Sequence, residues 1–124
     1  MADDLRAKAL KVRAQLFGEA AARQRMGEFD RFDEGFGHIV NDELFGRVWT
    51  RPGLSIKTRS MLTMAALLVL GRGPELRTHI RGALNIGITP QEIKELIIHL
   101  SQYGGIPVAV EAIRAFNEVI EEKK

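Results

Sequence analysis

The chain of 124 residues contains no cysteine. This absence excludes a disulfide scaffold, thiolate catalysis and cysteine-ligated metal, and it fits a reducing compartment. Aromatic residues are also scarce, and the single Trp and single Tyr stand far apart in sequence. The core must therefore be mainly aliphatic. The chain also lacks the clustered basic and aromatic residues that a nucleic-acid surface needs.

Long hydrophobic runs are missing too. The most apolar run, residues 61–70, is too short for the ~20 residues that cross a bilayer. Residues 1–6 carry acidic side chains where a signal peptide carries basic ones, and no apolar segment follows them. The formal charge of +2 comes from 18 basic and 16 acidic residues that are interspersed. We therefore expect a cytoplasmic protein without nucleic-acid or membrane partners.

What the sequence does contain is helical periodicity nearly throughout, and no segment alternates like a half-buried strand. The length suits a single domain over residues 1–124. Glycine, proline and one Thr-Pro-Gln-Glu start signal at Thr89 place the helix ends. The pattern predicts an all-α domain of about six helices: one around 5–16 that ends at Gly18, then 29–48, 55–70, 73–87, 89–104 and 107–124.

Apolar stripes predict which faces of these helices are buried. The helix over 29–48 is expected to bury Phe29, Phe32, Phe36, Ile39, Val40 and Leu44, although Gly35 and Gly37 weaken it. The last helix is expected to bury Val110, Ile113, Phe116 and Ile120. Residues 61–70 are apolar on every side, which predicts a central, enclosed helix. Because one short chain covers such a helix poorly, we expect an oligomer.

His79 is the histidine with the most suggestive spacing. Glu75 precedes it by one helical turn, and Gly82 and Ala83 follow it by one turn. A carboxylate at that distance can orient an imidazole and keep it basic, and small neighbours leave room for a ligand. An ordinary surface Glu–His pair has the same spacing. The spacing alone slightly favours the surface pair.

Other polar residues follow similar lines. His99 shares a helix face with Glu95 and Tyr103, which predicts either a pocket wall or a solvated flank. His38 is expected to be structural or exposed. No His-Glu-x-x-His motif occurs, so no metal ligand is assigned. Guanidinium groups bind carboxylates through paired hydrogen bonds. The candidates for binding substrate carboxylates are the arginines near helix ends and turns: Arg51, Arg59, Arg72, Arg77 and Arg81.

Seven segments in one order resemble the carboxymuconolactone decarboxylase family over nearly the whole chain. They are 13–18, 46–54, 58–63, 70–72, 75–87, 92–95 and 99–107, with Glu75-x-x-x-His79-x-Arg81-Gly82 inside the fifth. The resemblance implies an alkylhydroperoxidase D-like helical fold and a ring-like homohexamer built as a trimer of dimers. It also implies conversion of 4-carboxymuconolactone to an enol-lactone in protocatechuate (β-ketoadipate) breakdown, without a cofactor.

The resemblance also suggests roles for individual residues. It implies that His79 is a catalytic general acid oriented by Glu75. It also implies that Arg51 and Arg59 bind the substrate carboxylates. Trp49, His99 and Tyr103 would line the pocket. In related peroxidases a Cys-x-x-Cys motif precedes the histidine. Because Arg72 and Glu75 occupy those cysteine positions here, cysteine-dependent peroxidase activity is not expected.

The sequence leaves three functions open. The first is the lactone decarboxylase. The second is a paralogue with the same scaffold that acts on another small carboxylated or oxidised substrate. The third is a non-catalytic oligomeric binding protein that has kept the fold.

Overall fold

The computed structural model describes residues 2–124, and over this range it is helical without strands. The all-α prediction is therefore confirmed. Two compact units, Met1–Ile56 and Lys57–Lys124, divide the chain. The first contains α1 (Ala2–Phe17), α2 (Glu19–Phe32), α3 (Glu34–Gly37) and a π-helix (His38–Val48). The second contains α4 (Ile56–Val69), α5 (Gly73–Asn85), α6 (Pro90–Gly104) and α7 (Ile106–Glu122), with Ile56 at the division.

Helix ends lie close to where glycine and proline predict them. Gly18, Gly71, Gly87 and Gly105 all have positive φ, which an L side chain rarely adopts, so each sits where a helix stops or a turn follows. Thr89 completes the predicted capping box of α6. Its Oγ1 accepts a hydrogen bond from the Glu92 backbone N–H at 3.1 Å, and its own N–H donates to Glu92 Oε1 at 2.9 Å.

In the first unit, α1 packs chiefly on the π-helix. Ala9, Val12 and Leu16 form the buried stripe of α1, at the spacing of one helix face. The two helices approach closely at Gly46, where an added Cβ would clash with the Leu5 carbonyl. The glycine at this position is therefore required by the close approach of two backbones.

A charged network fixes the same helix pair. Arg6 donates from Nε to Asp42 at 2.6 Å and from Nη1 to Asp30 at 2.7 Å. His38 Nδ1 lies 2.9 Å from the second oxygen of Asp42, and Asn41 donates to the Met26 carbonyl at 3.1 Å. Burial disfavours the charge on Asp42, but the hydrogen bonds from Arg6 and His38 outweigh it and lower its pKa.

The predicted helix over residues 29–48 is wrong in two respects. The chain breaks at Asp33, whose carboxylate accepts the Phe36 N–H at 2.9 Å and caps α3. The apolar stripe is also largely exposed within the chain, with Phe32 at 77%. The buried face instead carries Asn41, Asp42, Phe45 and Gly46. The polar network holds this face inward, so apolar spacing was a poor guide to burial here.

The second unit has an aliphatic core shared by its four helices. It is centred on Met64, Leu68, Ile80, Ile93 and Val119. One prediction about this unit is wrong, and another holds at Phe116 and Ile120 but fails at Val110 and Ile113. The helix α4 is not enclosed by its own chain, because only Ser60, Met64 and Leu68 are buried and Leu62 is 56% exposed. On α7, Ala109, Ala112, Ala115, Phe116 and Val119 face the core, whereas Val110 and Ile113 are exposed.

We predict that Asp42→Asn lowers the free energy of unfolding by about 2 kcal/mol at pH 7, because a buried carboxylate that holds Arg6 and His38 loses its charge. The folded-state pKa of Asp42 is lowered, so its stabilising effect is present above the unfolded pKa and is lost as pH falls through the folded value. The gap between wild type and variant should close below a pH of about 4. Denaturant unfolding of both proteins across this pH range measures the difference in the free energy of unfolding.

The matched control is Glu19→Gln, which removes the carboxylate of the exposed Glu19–Arg23 pair in the same unit. Its effect should stay below about 0.5 kcal/mol. If the two substitutions cost the same, the buried network does not hold the helix pair.

Candidate active site

His79 lies on α5 at the edge of that helix's buried face. Leu76, Ile80 and Ala83 of the same helix are buried, and the imidazole beside them is half-buried with its Nδ1 enclosed by protein. Glu75 stands one turn earlier and is exposed. The helix begins at Gly73 with Pro74 in its first turn, where the missing N–H costs no hydrogen bond.

Two arginines on α5 are committed to ion pairs. Arg77 Nε lies 2.6 Å from Glu118, and Arg81 holds Glu122 through two hydrogen bonds of 2.8 and 2.7 Å. The bond to Glu122 raises the pKa of Arg81 and lowers that of the carboxyl. These contacts join α5 to the end of α7. They give both arginines a structural role and remove them from the candidates for substrate binding.

A groove of about 580 Å³ runs between α4 and α6. Its walls are largely apolar, and they carry the carboxylates of Glu92 and Glu95 and the imidazole of His99. His99 also contacts the ring of Tyr103 at 5.2 Å, although Tyr103 is 77% exposed. The predicted line of Glu95, His99 and Tyr103 is therefore a groove wall at its first two positions and a solvated flank at the third.

The remaining predicted residues fall in different places. Arg59 is half-buried on α4, with its Nε enclosed by protein. Arg51 is exposed in the segment after the π-helix. Trp49 is buried, and its ring stacks on Phe45 with centroids 5.4 Å apart. His79, Glu75 and Arg59 do not line the groove between α4 and α6. The second unit thus presents the His79 region and the His99 groove on different helices.

The described residues offer neither a metal site nor a membrane-spanning helix. Within residues 2–124 no group of three or more His, Asp or Glu side chains is arranged to hold a metal ion. None of the helices described there is long and apolar enough to cross a membrane.

The comparison with known proteins places this arrangement in a family. Residues 34–118, which include α3 to α6 and most of α7, match the model of the carboxymuconolactone decarboxylase family. The chain belongs to the carboxymuconolactone decarboxylase family. The matched range contains Trp49, Arg51, Arg59, Glu75, His79, His99 and Tyr103.

Two of the similar proteins are named as decarboxylases. The chain is 40% identical to the 4-carboxymuconolactone decarboxylase of Acinetobacter baylyi over 98% of this chain and 92% of the relative. It is 32% identical to the nitrosuccinic acid decarboxylase of Metarhizium robertsii over 91% and 79%. An uncharacterized 15.0 kDa protein of Paracoccus denitrificans is 40% identical over 64% of this chain and 60% of its own length.

Sequence reasoning missed one polar residue of this carboxymuconolactone decarboxylase family member. Arg13 on α1 is only 3% exposed, and its guanidinium lies 4.0 Å from the centroid of Phe45. In the sequence, Arg13 is the first residue of the segment 13–18 that resembles the family. A cation at a stripe position between Ala9, Val12 and Leu16 was the available signal.

Proposed function

We propose that the chain is a decarboxylase of a small carboxylated lactone, namely 4-carboxymuconolactone, and that it works without a cofactor. The observation that carries the proposal is the 40% identity, over nearly the whole of both chains, to a protein of that name. A second relative, named for nitrosuccinic acid, also acts on a carboxylic acid by decarboxylation. The half-buried His79 supplies an acid–base group that this chemistry needs.

The proposed reaction breaks one C–C bond and forms one C–H bond. As CO2 leaves, the bonding pair moves into the conjugated lactone, and a proton must reach carbon to give the enol-lactone. His79 is the proposed general acid. Because its Nδ1 is enclosed by protein, Nε2 is the nitrogen assigned to deliver the proton. Glu75, one turn away on α5, is the proposed orienting carboxylate.

Substrate carboxylates require cationic partners. Arg59 and Arg51 are the proposed partners, since guanidinium groups bind carboxylates through paired hydrogen bonds. Arg77 and Arg81 are not proposed, because they form ion pairs with Glu118 and Glu122. Trp49, His99 and Tyr103 are the proposed pocket-lining residues.

The expected consequence for catalysis is a large loss of kcat in His79→Gln, of about 10²–10⁴-fold, because the proton donor is removed. Glu75→Gln should cause a smaller loss, since it acts on the orientation of the imidazole. Incubation with 4-carboxymuconolactone and detection of released CO2 measures both.

His38→Gln is the control, because His38 is an exposed histidine outside the proposed site. It should retain wild-type turnover. Equal turnover by wild type and His79→Gln would show that His79 is not the general acid. No CO2 from the wild type would contradict the substrate assignment.

A second expectation concerns the arginines. Arg59→Met should raise KM for the lactone by about tenfold or more, because a charge-assisted contact with a carboxylate is lost. Arg23→Met, which breaks only the exposed pair with Glu19, should leave KM within about twofold of wild type. Steady-state kinetics on both variants separates them. Equal KM values in the two variants would remove Arg59 from the site.

One specific observation favours a second candidate. The nitrosuccinic acid decarboxylase is 32% identical to this chain, and the acid in its name is not 4-carboxymuconolactone. The paralogue alternative is therefore a decarboxylase of another small carboxylated substrate on the same scaffold. Release of CO2 from nitrosuccinate, with none from the lactone, would favour it.

We also propose a homo-oligomer, with a hexamer built as a trimer of dimers as the specific form. The support is the apolar surface left exposed by the single chain on α4, α6 and α7 and at Leu70 just after α4, including Leu62, Ile98, Ile106 and Ile113. Light scattering should give a multiple of the 13.9 kDa chain mass. A monomer at micromolar concentration would contradict the proposal.

Three further assignments stay with this proposal. They are a single domain over residues 1–124, a cytoplasmic location, and a place in the degradation of aromatic compounds. The single domain and the location follow from the sequence, whereas the place in aromatic degradation rests on the proposed decarboxylase activity.

A further inference from the structure

Arg13 is a buried cation to which the proposed mechanism gives no role. It lies on α1 and is 3% exposed. Among residues 2–124 no carboxylate pairs with it, and its Nε is enclosed by protein without a hydrogen-bond acceptor. Burial, with repulsion from Arg25, lowers its pKa to about 10. A buried charge is costly unless it is paired, so this arrangement calls for a compensating partner.

Aromatic rings supply part of that compensation. The guanidinium carbon lies 4.0 Å from the centroid of Phe45 and 5.6 Å from that of Phe29. A cation over an aromatic face is stabilised by the electron density of the ring. The rings accept no conventional hydrogen bond, however. The N–H groups of the guanidinium therefore still lack oxygen acceptors.

Arg6, on the same helix, shows the contrast. It lies two helical turns before Arg13 and binds two carboxylates, Asp42 and Asp30. The first unit therefore has acids placed to satisfy its more exposed arginine, while the more buried one has none. This distribution is the reverse of what stability alone favours, and polar groups left unsatisfied in the interior often belong to binding sites.

We propose that Arg13 is a binding site for a carboxylate group of a small-molecule ligand. A carboxylate offers two acceptor oxygens that match the fork of the guanidinium, and its charge balances the cation where water is largely excluded. The natural ligand is then the substrate or product of the proposed decarboxylation. Only that identification rests on the proposed function.

The single tryptophan gives a direct readout. Trp49 stacks on Phe45, the ring that the Arg13 guanidinium covers. Succinate, a small dicarboxylate, would be titrated into the full chain while Trp49 fluorescence is followed. Neutral succinamide and potassium chloride at matched ionic strength are the parallel titrations. We expect a saturable change with succinate alone.

Variants assign the effect to Arg13. Arg13→Met should weaken succinate binding by about tenfold or more, and Arg13→Lys should fall between it and wild type, since Lys keeps the charge and loses the fork. The matched control is Arg23→Met, which removes an exposed arginine paired with Glu19 in the same unit. It should bind succinate like the wild type. Circular dichroism checks that each variant is folded; if Arg13→Met is not, Arg13→Lys carries the comparison.

Several results would overturn the proposal. They are no saturable change in the wild type, an equal response to succinamide or to chloride, and undiminished succinate affinity in Arg13→Lys and Arg13→Met. A change of oligomeric state in Arg13→Met without change in affinity would make Arg13 an assembly residue instead. Turnover of 4-carboxymuconolactone is measured separately on the same proteins. Succinate binding without turnover contradicts the decarboxylase alone, and wild-type kcat/KM in Arg13→Met contradicts only the substrate as its natural ligand.

Discussion

The close contact between α1 and the π-helix is the constraint on which the first unit depends. Gly46 lets the two backbones meet at Leu5, and Arg6 then ties Asp42 of the π-helix to Asp30 of α2. With this face fixed, Phe45 and Trp49 turn inward. Arg13, on α1, is then held against Phe45. A backbone approach that only glycine permits therefore decides the surroundings of the residues with the most unusual electrostatics.

In the second unit, charge holds the helix that carries the candidate acid. Arg77 and Arg81 bind Glu118 and Glu122, so α5 is tied to α7 along one flank. Each such pair is partly exposed and stabilises the unit only modestly. Their effect on chemistry is a matter of orientation. They fix the rotation of α5 about its axis, and that rotation keeps His79 at the edge of the core.

Local signals in the sequence predicted the helix ends well, because caps such as Thr89 and glycines with positive φ act within a few residues. Burial was harder to predict. Apolar spacing placed Phe32, Ile39 and Ile113 inside, yet they are exposed in the chain. The face that is buried includes Asn41 and Asp42, which depend on partners such as Arg6, distant by 36 residues from Asp42. The candidate residues could be predicted from their resemblance to the family. The groove wall at His99 could not, because the groove forms only where α4 and α6 pack side by side.

The chemistry proposed here places its main demand on anion binding. Decarboxylation into a conjugated lactone provides its own electron sink, so the protein must chiefly hold carboxylates and deliver one proton. Cations fixed in structural pairs contribute little to this, which excludes Arg6, Arg77 and Arg81. A buried guanidinium that lacks an internal acid is different. Its attraction for a ligand carboxylate is weakened little by water, because Arg13 is 3% exposed, and no carboxylate of residues 2–124 competes for it. Arg13 therefore has the electrostatic character that binding a small anionic acid requires. The family resemblance, by contrast, points to His79 as the catalytic residue.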